Sequence, residues 1–146
     1  MSLNRIFDIA GSAMSAQSIR LNTVASNIAN ADTASSSTDE VYRARKPVFA
    51  AIQQSAMNSG FNTAFTDTPE SQGVEVLGIV ESQAELNMRY QPDHPMANED
   101  GYVMYPNVNV VEEMTDMLSA SRSFQTNVDV MDAAKTMMQR ILTLGQ

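Results

Sequence analysis

The stretch VVEEMTDMLSASRSFQTNVDVMDAAKTMMQRIL, residues 110–142, decides the fold. Within it Val110, Met114, Met117, Ser121, Phe124, Val128, Met131, Lys135, Met138 and Leu142 follow one another at alternating steps of four and three. That is the spacing of a helix seam that packs on other helices. Ser121 and Lys135 interrupt it. At a rise of 1.5 Å per residue the helix is a rod of roughly 50 Å. Asn109 stands at the N-cap, and Glu112 lies at the capping-box spacing from it. Glu113 and Asp116 place negative charge where the helix dipole favours it, and Arg140 sits toward the other end with Gly145 beyond.

The same pattern opens the chain. Leu3, Phe7, Ala10, Met14, Gln17, Leu21, Val24 and Ile28 form a second seam, polar only at Gln17. This helix should begin after Ser2 or Asn4 and fade between Asn30 and Thr33, where Asn, Asp and Thr cluster. Neither helix is expected to be stable alone, because helix stability in proteins comes mostly from burying an amphipathic face. Each end needs a partner.

Between them the pattern changes. Ala34 to Asp39 is a small polar tract, read as a linker or loop. From Val41 an edge strand or extended arm is expected, with Tyr42, Val48 and Phe49 near the basic cluster Arg43, Arg45 and Lys46, and Pro47 inside it. Gln53 to Gly73 reads as a mobile loop. Gly73 to Val80 is the best strand, with Val74, Val76 and Gly78 on one face, and Gln83 to Tyr90 supplies a second. Pro92 and Pro95 stop regular structure, Asp100-Gly101 signals a turn, and Tyr102 to Tyr105 forms a short strand before Pro106. The expected fold class is α+β. Long N- and C-terminal helices (1–33 and 107–146) pair as a coiled-coil-like domain around a small irregular β-rich segment (34–106). Terminal helices that bracket a β insert suggest an assembly subunit.

Composition bounds the function. The chain has 146 residues, one domain's length, and a net charge of -8, which repels phosphate backbones and anionic lipid, so nucleic acid is not an expected ligand. No cysteine is present, which removes disulfides, thiolate metal sites and cysteine nucleophiles. The start lacks a basic region followed by a continuous apolar core, so a cleavable secretory signal is not expected. No apolar run approaches the length of a membrane span.

Catalytic candidates are few. His94, the single histidine, lies beside Asp93, Pro92 and Pro95. A metal or general-base role would require further ligands or partners, so a turn role is the expectation. A helix N-terminus accounts for Glu112, Glu113 and Asp116 without chemistry. There is no nucleophile elbow, and the glycines are too dispersed for a phosphate cradle. No catalytic residue, metal, cofactor or small-molecule substrate is expected. The eleven methionines, crowded in the last third, suit either an adaptable packing surface or an ordinary helical core.

Ser12 to Thr33 contains Ala16-Gln17, Arg20-Leu21-Asn22 and Asn27-Ile28-Ala29-Asn30, and resembles the N-terminal signature of the bacterial flagellar rod and hook proteins. Further on stand Tyr90, Pro92, His94-Pro95, Ala97, Gly101-Tyr102-Val103, Pro106 to Asn109, Glu113-Met114 and Ala120 to Asn127. These narrow the resemblance to proximal-rod subunits. Phe124, where tyrosine is frequent, and Thr126, where alanine is common, depart only modestly.

The resemblance implies a structural subunit of the flagellar basal-body proximal rod. Such a subunit polymerises through its terminal helices into the drive shaft that carries torque from motor to hook and surrounds the export channel. It also implies passage through the flagellar type III export apparatus and assembly in the periplasm. The implied partners are copies of itself, other rod proteins, the rod-base adaptor and the membrane ring. The expected assembly interface is Leu21, Val24 and Ile28 against Met114, Met117, Phe124, Val128 and Met131, with Asn27, Asn30 and Asn127 fixing register. Arg43, Arg45 and Lys46 are expected to meet acidic neighbours between subunits. The alternative is a secreted helical adaptor or chaperone-like module that does not polymerise.

Overall fold

The computed structural model describes residues 3–53 and 71–144. The chain runs α1 (Leu3–Ala29), β1 (Arg45–Gln53), β2 (Ser71–Glu81), β3 (Asn87–Tyr90), β4 (Tyr102–Tyr105) and α2 (Val110–Leu144). It is an α+β fold with a long helix at each end and two small antiparallel sheets between them. The loop expected from Gln53 to Gly73 falls for the most part outside the described residues.

The strands form two ribbons, β1 with β2 and β3 with β4. In the first, Val48 pairs with Gly78 and Phe49 with Val76, so Leu77 is an extra residue that bulges β2. Pro47 is tolerated because a two-stranded ribbon consists only of edges. A two-stranded ribbon is marginal by itself, and this one lies along α1. At one end the Val74 N–H donates to Ser12 Oγ at 3.1 Å. Gly73 is required there, because its φ of 136° suits glycine and a Cβ would collide with Ser12 Oγ.

The second ribbon is held through loops. Ser35 pairs with Met104 by N–H to O bonds of 3.0 and 3.1 Å, which adds a bridge to β4. The tract expected as a linker is therefore fastened, and Ser35 itself is buried. The turn expected at Asp100-Gly101 forms with Gly101 at φ 78°, and Asn98 Oδ1 accepts from the N–H groups of Asp100 and Tyr102. His94 closes the preceding turn, with Nδ1 accepting from the Met96 N–H at 3.1 Å.

α1 packs on both α2 and the first ribbon. The two helices run antiparallel, since Asn27 meets Glu113 while Arg20, earlier in α1, meets Asp116, later in α2. Small side chains are buried on both helices, Ala10 and Ala16 on α1 and Ala120 and Ala134 on α2. Ala31, Ala44 and Val108 close the core at the end where the loops enter, with Tyr42 and Val110 packed against them.

Candidate assembly interface

The helix start that organises this end of the molecule is capped as the sequence suggests. Asn109 Oδ1 accepts from the Val111 N–H at 3.2 Å. Glu112 reaches away from the helix end to Lys46 Nζ at 3.2 Å, and Glu113 turns inward. Its carboxylate is buried, with the residue 4% exposed, and it accepts from Asn27 Nδ2 at 3.0 Å.

Asn27 joins three elements. It is 1% exposed, and each of its four hydrogen-bonding positions is used. Nδ2 donates to Glu113 Oε2 and to the Arg45 carbonyl at 2.8 Å. Oδ1 accepts from the Arg45 N–H at 2.9 Å and from the Tyr42 hydroxyl at 2.8 Å. The amide thus grips both backbone groups of Arg45 as a neighbouring strand would, and fixes β1 against α1 and α2. A buried amide is stable only when satisfied in this way. Burial pushes the Tyr42 hydroxyl above its ordinary value; Arg45 opposes that shift, while the carboxylates of Glu113 and Glu81 add to it. Tyr42 therefore stays a donor to Asn27 at neutral pH.

Asn107 makes a parallel link, with Oδ1 accepting from the Ala44 N–H at 2.8 Å and Nδ2 donating to the Ala84 carbonyl at 3.0 Å. Arg20 and Asp116 join the two helices at 2.7 Å. The basic cluster is engaged within the chain: Arg45 with Glu81 at 3.0 Å, Lys46 with Glu112, and Arg43 on the Ser82 carbonyl at 3.4 Å.

The seam residues named from sequence are distributed over several environments. Val24 and Asn27 are buried; Leu21, Ile28, Asn30, Met117, Asn127, Val128 and Met131 are half-buried; Met114 and Phe124 are exposed. Asn30 and Asn127 make bonds within their own helices, to the Ser26 and Ser123 carbonyls. On α2 the line turned to α1 is Glu113, Ala120, Asn127 and Ala134, buried except for half-buried Asn127. Met114, Ser121 and Lys135, one residue further along, are exposed. Large apolar residues draw the eye to the second line, whereas close helix approach selects the small ones. The seven-residue recurrence of Ala120, Asn127 and Ala134 was the available signal. Sequence reading missed Tyr42 and Asn107 as bonding partners, and took Glu113 only as a dipole charge.

Among the described residues no group of three His, Cys, Asp or Glu side chains stands close enough to hold a metal ion, and no helix is long and apolar enough to cross a membrane. What the geometry offers is surface. Val111, Leu118, Met137, Ile141 and Leu142 on α2, Leu77, Ile79 and Val80 on β2, and Met88 and Tyr90 on β3 are all exposed.

Residues 7–34 match the family model described as flagella basal body rod protein, and residues 99–144 match that of the flagellar basal body rod FlgEFG protein C-terminal region. The two matches cover nearly all of α1 and α2. The flagellar basal-body rod protein FlgC of Salmonella typhimurium is 45% identical over 146 residues, 100% of each chain. That of Escherichia coli O157:H7 is 46% identical over the same span. That of Borreliella burgdorferi is 33% identical over 151 residues, 100% of this chain and 99% of its own. The chain belongs to the FlgC family of flagellar basal-body rod proteins.

Proposed function

We propose that the protein is a structural subunit of the proximal rod of the bacterial flagellar basal body, part of the drive shaft that carries torque from motor to hook. The observation that carries this reading is identity of 45% over the whole of both chains with a flagellar basal-body rod protein. Exposed apolar side chains along α2, on the side away from α1, support it, because a subunit that assembles must leave such surface uncovered. The protein works by packing and carries out no catalysis.

In this reading the two terminal helices continue as a coiled-coil-like pair in the assembled rod and enclose the export channel, with 34–106 lying outward. The subunit leaves the cytoplasm through the flagellar type III apparatus without a cleaved signal peptide and assembles in the periplasm. It contacts copies of itself, other rod proteins, the rod-base adaptor and the membrane ring. The interface residues named from sequence act there, Met114 and Phe124 directly and Asn27 by holding the helices in register. Nothing in the relatives favours the non-polymerising adaptor.

Expression in a Salmonella typhimurium strain lacking its own relative tests this. Swimming should return, with the protein present in isolated rods. Stable protein that never enters the rod would refute it.

A further inference from the structure

The pair Asp100-Gly101 carries a reactivity as well as a turn. A backbone nitrogen that follows an aspartate can attack that residue's own carboxyl group, and glycine, with no side chain to obstruct the approach and free rotation about its backbone, hinders the attack least. Asp100 is exposed. The fold in turn demands the glycine: Gly101 lies at φ 78°, and a Cβ there would meet Tyr90 Cε2 at 2.9 Å and Pro92 Cβ at 3.3 Å. The conformation that builds the turn therefore keeps the reactive pair in the chain.

The folded turn holds the reacting atoms out of line. The Gly101 N–H, the attacking group, donates to the Asn98 carbonyl at 2.9 Å and closes a turn over residues 98–101. Neither Glu99 nor Asp100 has a positive φ, so the turn is type I followed by a left-handed glycine, and its third residue, Asp100, has ψ near about 0°. At that angle the Gly101 nitrogen eclipses the nitrogen of Asp100, whereas a five-membered imide ring needs it eclipsed with Cβ. Asn98 fastens this arrangement. Its Oδ1 accepts from the N–H groups of Asp100 at 3.1 Å and Tyr102 at 2.8 Å, and its own N–H donates to the Tyr102 carbonyl at 2.9 Å.

We propose that Asp100 is a site of spontaneous isoaspartate formation that Asn98 holds closed in the folded chain. When the turn opens, the Gly101 nitrogen bonds to Cγ of the protonated carboxyl, and its hydrogen departs with the carboxyl hydroxyl as water. Water then adds to the cyclic imide. Opening at Cγ restores aspartate; opening at the backbone carbonyl carbon leaves the main chain running through Cβ and Cγ, one atom longer, with a free carboxylate on Cα. The longer chain cannot hold both the Gln91 N–H on the Gly101 carbonyl, now at 2.9 Å, and Tyr90 opposite Tyr102. The β3–β4 ribbon then frays at this end.

The full-length parent, Asn98→Ala and Asn98→Asp are incubated side by side, folded in buffer and unfolded in guanidinium chloride, with folding checked by circular dichroism. Trypsin cuts after Arg89 and Arg122 and releases Asp100 in one fragment, in which electron-transfer mass spectrometry distinguishes isoaspartate from aspartate at 100. In denaturant all three are expected to isomerise alike. The folded parent should be at least tenfold slower than the unfolded parent, folded Asn98→Ala several-fold faster than the folded parent, and folded Asn98→Asp, which keeps the Oδ1 acceptor, close to the parent. A folded parent that isomerises at the unfolded rate overturns the proposal, and this comparison decides even where Asn98→Ala does not fold. Folded Asn98→Ala no faster than the parent, or Asn98→Asp as fast as Asn98→Ala, overturns the role of Asn98.

Discussion

Replacement of Asn27 by alanine should be the most damaging single polar change in the protein. It orphans four groups at once: the Arg45 N–H and carbonyl, the Tyr42 hydroxyl and the Glu113 carboxylate. A buried group left without a partner costs about 1–3 kcal/mol, more when charged. Tyr42 is half-buried and can recover a water, whereas Glu113 at 4% exposure cannot do so readily. The expected loss is then about 3–5 kcal/mol, a large share of a typical domain's stability. In a chain of this size that corresponds to a fall in Tm on the order of 10 °C. Urea unfolding followed by far-UV circular dichroism measures it. Asn27→Asp sharpens the test, because it keeps the acceptor for Tyr42 and Arg45 but sets a second carboxylate against Glu113; it should be worse than alanine at neutral pH and partly recover in acid. A loss under about 1 kcal/mol for Asn27→Ala would mean that the four bonds are not worth their count, and would refute the view that this amide locks β1 to the helices.

Gln17 Oε1 is buried without a hydrogen-bond partner among the described residues, so Gln17→Leu should raise stability by about 1 kcal/mol, read as a higher urea midpoint. Gly73→Ala should destabilise by about 1–3 kcal/mol through the backbone conformation and the Ser12 contact, and adding Ser12→Ala should restore only the steric share. Ala120, fully buried between the helices, should lose about 1–3 kcal/mol on change to leucine; a neutral effect in urea unfolding would mean that the helices are not close-packed there. Burial raises the Tyr42 pKa above its ordinary 10.0, so its contribution is complete below that pH and is lost as pH climbs from 10.0 through the folded value. Stability, measured by unfolding from pH 9 upward, should therefore decline less steeply in Tyr42→Phe than in the parent.

Much of the architecture is written locally. The helices at 3–29 and 110–144, the ribbon strands around Pro47 and Val76, the turn at Gly101 and the Asn109 cap follow from periodicity, turn chemistry and capping, which depend on near neighbours in the chain. What escaped depended on groups far apart in sequence. The basic cluster, expected to meet acidic neighbours between subunits, also meets Glu81 and Glu112 of its own chain, and these come to it only when the strands and α2 fold back. Glu113 sits where any helix start welcomes a carboxylate, so nothing local marked it as buried.

By itself, then, the sequence determined the two long amphipathic helices, the β-rich interval between them, and the motifs that place the chain among flagellar rod proteins. Only the tertiary structure decided which line of α2 faces α1. A repeat of threes and fours leaves adjacent lines nearly equivalent in hydrophobicity, and the choice falls to the side chains small enough to let the helices approach, Ala120 and Ala134. It decided too that Asn27 is a junction of three elements rather than a solvated helix end, since an amide's role is set by the partners that long-range packing brings within reach.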